Sequence, residues 1–272
     1  MNPSELEDLI RRSLDDFYQR RMKKLTELKL SDVLRKKNPY LLRAIGVRKA
    51  SEIVTEILRA YMSSSDESIF GDAFFEPIAR LCSGGTVSPS EGVDVAVESD
   101  AVYKAFSIKS GPNIFNASQA KRQHDEFNSL RHRMHKIHKQ FDPILGHCYG
   151  KRSSNRKGKL AYRVLSGQAL WEELTGDPNF YIKLIHLMHD YPTEHRREFE
   201  KAWDNALNRF EGEFIINFGN LDGSINWEKL LRFNSGKEKV AWVSVSKVLT
   251  TVSAEVHGDV DDTKDAEMDE VQ

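Results

Sequence analysis

Residues 91–113 of the chain read EGVDVAVESDAVYKAFSIKSGPN. Apolar and polar residues alternate in two runs, over 93–98 and 102–109, and this period of two is typical of half-buried β-strands. The polar cluster Glu-Ser-Asp at 98–100 favours a turn between them. The stretch therefore predicts a β-hairpin that is followed by a Gly-Pro segment.

The alternation also assigns each side chain of the hairpin to a face. Val93, Val95 and Val97 share one face of the first strand, which leaves Asp94 on the other. In the second strand Lys109 lies opposite the apolar face. Closing the hairpin brings Asp94 and Lys109 to the same end of the ribbon, within about two residues of register. We therefore expect the two charged side chains to point the same way.

Composition limits the class of protein. The chain has 272 residues, 39% of them hydrophobic, which suffices for a core in one large domain or two small ones. It contains no apolar run of about 18 residues or more, so we expect no membrane span, and the acidic, amphipathic N-terminus is unlike a secretory leader. With 2 cysteines a disulfide framework is not expected, which favours a reducing cytoplasm.

The charge is unevenly distributed along the chain, although the formal net charge is only −1. Residues 117–160 carry eleven Lys or Arg against three acids, a local charge of +8. Residues 255–272 carry eight acids against one lysine, a local charge of −7. This asymmetry predicts a polyanionic partner for the basic surface, and solvated basic helices are the alternative interpretation.

Helical spacing of apolar residues dominates the first part of the chain. It predicts helices over 4–30 and 50–62. Ser65 is expected to cap a separate helix, which Pro77 should kink.

Residues 65–175 alternate between helix and strand signals, which predicts a mixed α/β layer arrangement. After the hairpin, the pattern predicts a long helix over 116–139 and buried strands over 143–150 and 160–167. The remainder is predicted to be mostly helical, with a last strand over 240–252.

The hairpin residues suit metal-assisted hydrolysis of a phosphodiester. Mg²⁺ prefers oxygen ligands and usually takes one or two protein carboxylates. Asp94 is the expected bridging ligand, with Glu76 from the preceding helix and the backbone carbonyl of Ile108 as further ligands. Lys109 would hold and polarise the attacking water and offset charge on phosphorus. The sequence does not choose between one and two metal ions per site.

Each of these assignments has a structural alternative. Asp94 and Lys109 are also compatible with a simple cross-strand ion pair, which contributes under about 1 kcal/mol when exposed. Glu76 is also compatible with a solvated helix surface.

Several polar and basic residues after the hairpin are predicted to contact DNA. Amide side chains can read adenine edges or bind phosphate, and basic side chains bind phosphate in a salt-dependent manner. A turn with a helix cap, or a flexible solubilising loop, are the alternatives for these segments. The predicted DNA contacts are Asn113, Asn116, Gln119, Lys121, Arg122, Lys151, Arg152 and Arg156.

The order of helix, Asp94 and the Ser-Ile-Lys segment at 107–109 resembles the core of PD-(D/E)xK nucleases. More closely, the blocks FGDAFFEP, EGVD, IKSGPNIFNASQ, FDPILGHCYG, SGQALWEELTGD and FNSGK are similar to type II restriction endonucleases of the group that cuts the interrupted palindrome RGGNCCY. The resemblance covers roughly residues 36–237. It implies an α/β fold with a PD-(D/E)xK restriction-endonuclease-like core, a mixed sheet flanked by helices, and additional helical segments at both ends.

The chain departs from the family pattern at two positions. Val93 replaces the usual proline before the aspartate. Ser107, which belongs to the predicted catalytic residues, stands where the motif has its second acid. A serine hydroxyl is a weak metal ligand, so another acid is expected to supply the missing charge. Glu76 is the first candidate, and Glu91 and Asp72 are the substitutes.

The resemblance implies a functional division of the chain. Segment 1–62 is expected to be helical and to dimerise, and 63–175 is the catalytic core. Segment 176–253 is expected to be mostly helical and to pack on the core and the dimer interface, and 254–272 to be a disordered acidic tail. A homodimer follows from a palindromic site, because its two strands present equivalent scissile bonds.

The expected function is Mg²⁺-dependent, sequence-specific cleavage of double-stranded DNA in a bacterial cytoplasm, without an organic cofactor or a membrane. The products would be 5′-phosphate and 3′-hydroxyl ends. Two alternatives stay open: a structure-specific repair or junction nuclease, and a non-catalytic DNA-binding dimer, which the serine at 107 suggests.

Overall fold

A computed structural model describes residues 2–88, 90–112, 116–151 and 161–245. The described residues form two compact units. The first unit takes its residues from Met1–Lys23 and Met62–Phe199, and the second from Lys24–Tyr61 and Glu200–Gln272. The four functional segments predicted from the sequence remain a prediction.

Ten α-helices and four strands make up the regular structure of the described residues. The helices are α1 (Pro3–Glu27), α2 (Leu30–Leu34), α3 (Pro39–Ala44), α4 (Ala50–Phe70), α5 (Glu76–Ser83), α6 (Ala117–Lys136), α7 (Gln168–Thr175), α8 (Phe180–Leu187), α9 (Tyr191–Phe218) and α10 (Trp227–Ser235). The strands are β1 (Val95–Glu98), β2 (Val102–Lys109), β3 (Gln140–His147) and β4 (Arg163–Ser166). No helix in this described part of the chain combines the length and apolarity needed to cross a lipid bilayer.

The helix α4 corrects the predicted cap at Ser65. This residue lies inside α4, which runs without a break to Phe70. The run of serines around it permits a helix start locally, but the helix that begins at Ala50 continues through these residues.

The irregularity expected at Pro77 lies before the proline. A π-helical turn, Gly71–Phe75, joins α4 to α5, and the backbone N–H of Glu76 donates to the carbonyl of Gly71. Pro77 has no N–H and would clash with the carbonyl four residues earlier in a regular helix. The wider turn avoids this clash, and it sets the direction of Glu76 at the start of α5.

The four strands form one mixed sheet in the order β1-β2-β3-β4. β1 and β2 pair antiparallel as the predicted hairpin, whereas β2, β3 and β4 are parallel neighbours. The helix α6 is the crossover between β2 and β3, as a parallel connection requires. The carboxyl ends of the three parallel strands therefore meet at one edge of the sheet.

Each face of the sheet covers its own hydrophobic cluster. One face packs against α1, α5, α7 and α8, and the other packs against α6. Val95 belongs to the first cluster, but Val93 belongs to the α6 cluster, so the prediction that they share a face is wrong. The regular strand begins only at Val95, after Gly92 with φ +73°, and alternation does not hold before that point.

The predicted last strand is also wrong in its described part, because residues 240–244 are not in a strand. Trp242 packs on Phe218 and Phe233 at centroid distances of 5.9 and 5.4 Å. The backbone of Val243 bonds to the side-chain amide of Asn217 on α9, which replaces a strand partner. Residues 246–252 lie outside the described part.

Four charged side chains join the sheet to α7 on the face away from α6. Arg163 donates two hydrogen bonds to Asp142, of 3.2 and 2.6 Å, and one of 2.9 Å to Glu173. Lys104 donates to the other oxygen of Glu173 at 2.8 Å. Burial raises the pKa of Glu173, but the hydrogen bonds from Arg163 and Lys104 outweigh burial and lower it.

We predict that Arg163→Met lowers the free energy of unfolding by about 2–4 kcal/mol, because it removes the cation bound to two half-buried carboxylates. Arg20→Met is the matched control, since it breaks an exposed pair with Asp16 one helical turn away. That control should cost under about 0.5 kcal/mol. Urea denaturation at pH 7 measures both changes, and equal losses in the two variants would contradict the prediction.

Candidate active site

Asp94 is the residue around which the candidate site is built. Its backbone N–H donates to the carbonyl of Phe106 at 2.8 Å, which continues the hairpin ladder one residue before β1. Its carboxylate oxygen Oδ2 accepts from the N–H of Ile108 at 2.6 Å. The side chain of Asp94 thus takes the place of a backbone acceptor, and this fixes the carboxylate at the edge of β2.

The carbonyl of Ile108 faces the same edge as Asp94. In an extended strand the N–H and C=O of one residue point to the same side, and the N–H of Ile108 points to Asp94. The carbonyl of the next residue, Lys109, points the opposite way and accepts from Cys148 at 2.9 Å. The backbone oxygen of Ile108 and the carboxylate of Asp94 are therefore two oxygens on one edge.

Lys109 closes the group, as the hairpin alternation predicts. Its Nζ lies 3.2 Å from Oδ2 of Asp94, and the two side chains are 25% and 23% exposed. Oδ2 therefore binds a backbone N–H and an ammonium at the same time. The pair is still accessible to a ligand, but about three quarters of each side chain is shielded from solvent. It therefore differs from an ordinary exposed ion pair.

Glu76 lies within electrostatic range of this pair. Burial, reinforced by the charges of Asp94 and Asp72, raises the pKa of Glu76 to about 7, against weaker opposing effects of Lys109 and Arg80. Carboxylates crowded into a poorly solvated place raise one another's pKa, and a bound cation relieves this repulsion. Glu76, the first residue after the π-helical turn at 71–75, therefore lies close enough to Asp94 for their charges to interact.

Ser107 lies on the α6 side of the sheet and is fully buried. Its hydroxyl donates to Oε1 of Gln123 at 2.8 Å, and Nε2 of Gln123 donates to the carbonyl of Gly92 at 2.8 Å. Gln123 thereby ties β2 to the segment that leads into Asp94. The hydroxyl of Ser107 is engaged in packing against α6.

The donor set is oxygen-rich but contains few carboxylates. Within the described residues, no group of three or more His, Cys, Asp or Glu side chains is arranged to hold a metal ion. Mg²⁺ does not require such a group, because water and phosphate complete its coordination. Asp94, Glu76 and the Ile108 carbonyl fit Mg²⁺ better than they fit zinc, which prefers nitrogen and sulfur ligands.

The residues predicted to contact DNA have different environments. Asn116 and Gln119 form a capping box at the start of α6, in which each side-chain oxygen accepts from the other's backbone N–H. The side chains of Lys121 and Lys151 are exposed. Asn113, Arg152 and Arg156 lie outside the described residues.

Arg122 is paired with two acids of its own chain. Its guanidinium binds Glu126 at 2.7 Å and also binds Glu91. The hydrogen bond that Arg122 donates to Glu126 is the main cause of the raised pKa of Arg122. Glu91, a substitute for the missing motif acid in the sequence prediction, is thus held by Arg122.

Gln123 and Glu67 were not predicted from the sequence, although they bind Ser107 and Ser110 on either side of the site. Gln123 carried a usable signal, because it shares the buried stripe of α6 with Phe127 and Leu130, and a buried amide needs partners. Glu67 carried none. It lies in a polar run of α4, and its contacts with Ser110 and Tyr149 come from residues 43 and 82 positions away.

We predict a pH-dependent stability effect of Glu76→Gln in the presence of EDTA. The folded state keeps the Glu76 proton up to a pKa of about 7, against the ordinary 4.5. The contribution of Glu76 to the free energy of unfolding is therefore fully present below pH 4.5. It is lost as the pH rises through 7, because the crowded carboxylate then ionises. The variant should be more stable than the wild type by about 1–2 kcal/mol at pH 8, after discounting for partial solvation.

Thermal or urea denaturation at pH 5 and at pH 8 measures this effect. Glu198→Gln removes an exposed carboxylate of α9 and serves as the control. A stability difference between wild type and Glu76→Gln that does not grow from pH 5 to pH 8 would contradict the assignment.

The sequence that forms the site matches one family of known proteins. Residues 4–196 match the family model of the type II restriction endonuclease EcoO109I. This match includes α5, which begins at Glu76, the hairpin region with Asp94 and Lys109, and α6. No curated protein sequence is matched by the chain. Because the family model covers well over half of the sequence, the chain belongs to the EcoO109I family of type II restriction endonucleases.

Proposed function

We propose that this restriction endonuclease cuts double-stranded DNA in a Mg²⁺-dependent reaction at a core of the PD-(D/E)xK type. The products are 5′-phosphate and 3′-hydroxyl ends. One observation carries the proposal: Oδ2 of Asp94 accepts from both Ile108 N–H and Lys109 Nζ, and Glu76 lies close enough for their charges to interact.

The metal-binding residues in this proposal are Asp94, Glu76 and the carbonyl of Ile108. The raised pKa of Glu76 supports this set, because it reflects burial together with the nearby negative charges of Asp94 and Asp72, and a bound cation would relieve both. When bound, Mg²⁺ would polarise the phosphate and stabilise the charge that develops on it.

The chain's own groups position the attacking water and the charges around it. The amine of Lys109 is fixed beside Asp94, where it can hold a water molecule by hydrogen bonding and stabilise the pentacovalent phosphorus. Glu76 would be held ionised by bound Mg²⁺, which offsets the burial and the neighbouring carboxylates that raise its pKa in the metal-free protein. The half-buried environment strengthens both effects by excluding bulk water.

The proposed target is an interrupted palindrome of the form RGGNCCY. This proposal rests on the resemblance of the quoted sequence blocks to enzymes that cut such a site. A palindrome presents two equivalent strands, so we propose a homodimer with one active centre for each strand. The helical segments 1–62 and 176–253 are the proposed sources of its interface.

A non-catalytic DNA-binding dimer is the second candidate. The observation in its favour is Ser107, which stands where the motif has an acid and whose hydroxyl binds Gln123. A structure-specific junction nuclease would keep the same chemistry and change the target. The three candidates differ in what they do to a long natural DNA.

The test is digestion of bacteriophage DNA with Mg²⁺ by wild type and by Lys109→Ala, followed by sequencing of the fragment ends. Wild type is expected to give discrete, reproducible bands with 5′-phosphate ends. Lys109→Ala should lower the single-turnover cleavage rate by about 10²-fold or more, because it removes a cation from the reacting phosphate. Lys104→Ala is the matched control, since this lysine of the same strand binds Glu173.

Each outcome assigns the protein to one candidate. Discrete bands that are lost in Lys109→Ala and kept in Lys104→Ala support the proposal. Cutting confined to branched or damaged DNA would indicate the junction nuclease. DNA binding without cutting in Mg²⁺ would indicate the non-catalytic dimer.

A further inference from the structure

Glu67 of α4 joins two loops at the carboxyl ends of the parallel strands. Its Oε2 accepts from the hydroxyl of Ser110 at 2.7 Å, and its Oε1 accepts from the hydroxyl of Tyr149 at 3.3 Å. Ser110 directly follows Lys109 at the end of β2, and Tyr149 follows Cys148 after β3. One carboxylate thus binds the residue next to the proposed catalytic lysine and a residue of the neighbouring loop.

The two loops are in close contact with each other. A Cβ added at Gly111 would lie only 2.3 Å from the Tyr149 hydroxyl oxygen, and one added at Gly150 would lie 3.1 Å from Pro112. The backbone adds a further link, because Lys109 C=O accepts from Cys148 N–H at 2.9 Å. The loops therefore pack as one layer, with Glu67 bonded to both of its halves.

The bond to Ser110 dominates this arrangement. Ser110 is only 6% exposed, so its hydroxyl depends on Glu67 in place of water, whereas Tyr149 is 47% exposed and its bond is longer. A hydrogen bond to an ionised acceptor is shorter and stronger than a neutral one. Partial burial and the charge of Glu67 also raise the pKa of Tyr149, so this hydroxyl stays a donor.

We propose that Glu67 is a positioning residue for the cleavage reaction, which acts through Ser110 on Lys109. This inference rests on the proposed function. With Glu67 in place, the backbone after Lys109 is fixed, so the amine stays beside Asp94, where the proposed reaction needs it. Without it, the buried hydroxyl of Ser110 loses its acceptor, and the lysine stem gains freedom at its own Cα.

The experiment compares Glu67→Ala, Glu67→Gln and Asp66→Ala with wild type on a DNA fragment that wild type cuts. Single-turnover rates are measured with Mg²⁺, and DNA affinity is measured with Ca²⁺ in its place. Glu67→Ala should lower the rate about 10- to 100-fold with unchanged affinity, because a small displacement of a reacting group costs rate. Glu67→Gln keeps an oxygen acceptor for Ser110 and should retain most of the rate.

Asp66→Ala is the matched control, because Asp66 is the adjacent acid of α4 and binds Arg21 at 2.8 Å. It tests loss of stability without loss of the loop contact, so its rate should equal that of wild type below the unfolding temperature. Ser110→Ala should lower the cleavage rate as much as Glu67→Ala does. The double variant Glu67→Ala/Ser110→Ala should be no slower than either single variant, because both substitutions remove the same hydrogen bond.

The outcomes separate this inference from the function on which it rests. Wild type that fails to cut any DNA would overturn the proposed function. Wild type that cuts, with Glu67→Ala cutting at the same rate or with Asp66→Ala equally slow, would overturn the positioning role alone. Loss of affinity in place of rate would also overturn it, since it would assign Glu67 to DNA binding.

Discussion

A single carboxylate oxygen, Oδ2 of Asp94, links the end of β2 to the residue that precedes β1. It accepts hydrogen bonds from the backbone N–H of Ile108 and from the ammonium of Lys109. Without Asp94, the N–H of Ile108 would lose this acceptor. The side chain thus ends the β1–β2 pairing and orients the lysine with the same atom. Because a buried or half-buried donor without an acceptor costs about 1–3 kcal/mol, the fold itself keeps Asp94 in place. Structure and the proposed chemistry therefore depend on the same contact.

The second constraint is charge. Asp94 is balanced by Lys109, but Glu76 enters the same half-buried space and its pKa rises to about 7, mainly through burial. Glu76 directly follows the π-helical turn Gly71–Phe75, whose last hydrogen bond runs from the N–H of Glu76 to the carbonyl of Gly71. Such an unfavourable local arrangement in a stable fold is typical of sites where a ligand supplies the missing charge.

The sequence predicted the parts of the site that depend on local pattern, and it missed those that depend on packing. Alternation and the turn at 98–100 were sufficient to place Asp94 beside Lys109, because hairpin register is local. Alternation failed at Val93, since Gly92 with positive φ interrupts the strand. The uninterrupted path of α4 and the contacts of Glu67 depend on residues far along the chain, which no local pattern encodes. The role of Glu76 stays a prediction.

The serine at 107 changes the balance of the proposed metal site. A carboxylate at that position would add a full negative charge, whereas the hydroxyl of Ser107 is neutral and bonded to neutral Gln123. In the metal-free site the raised pKa of Glu76 lowers its negative charge near neutral pH, and the ammonium of Lys109 offsets the charge of Asp94. Mg²⁺ gives up its water reluctantly and often relies on substrate phosphates for ligands. With so little negative charge of its own, the proposed metal site would depend on the phosphates of DNA as further ligands for the cation.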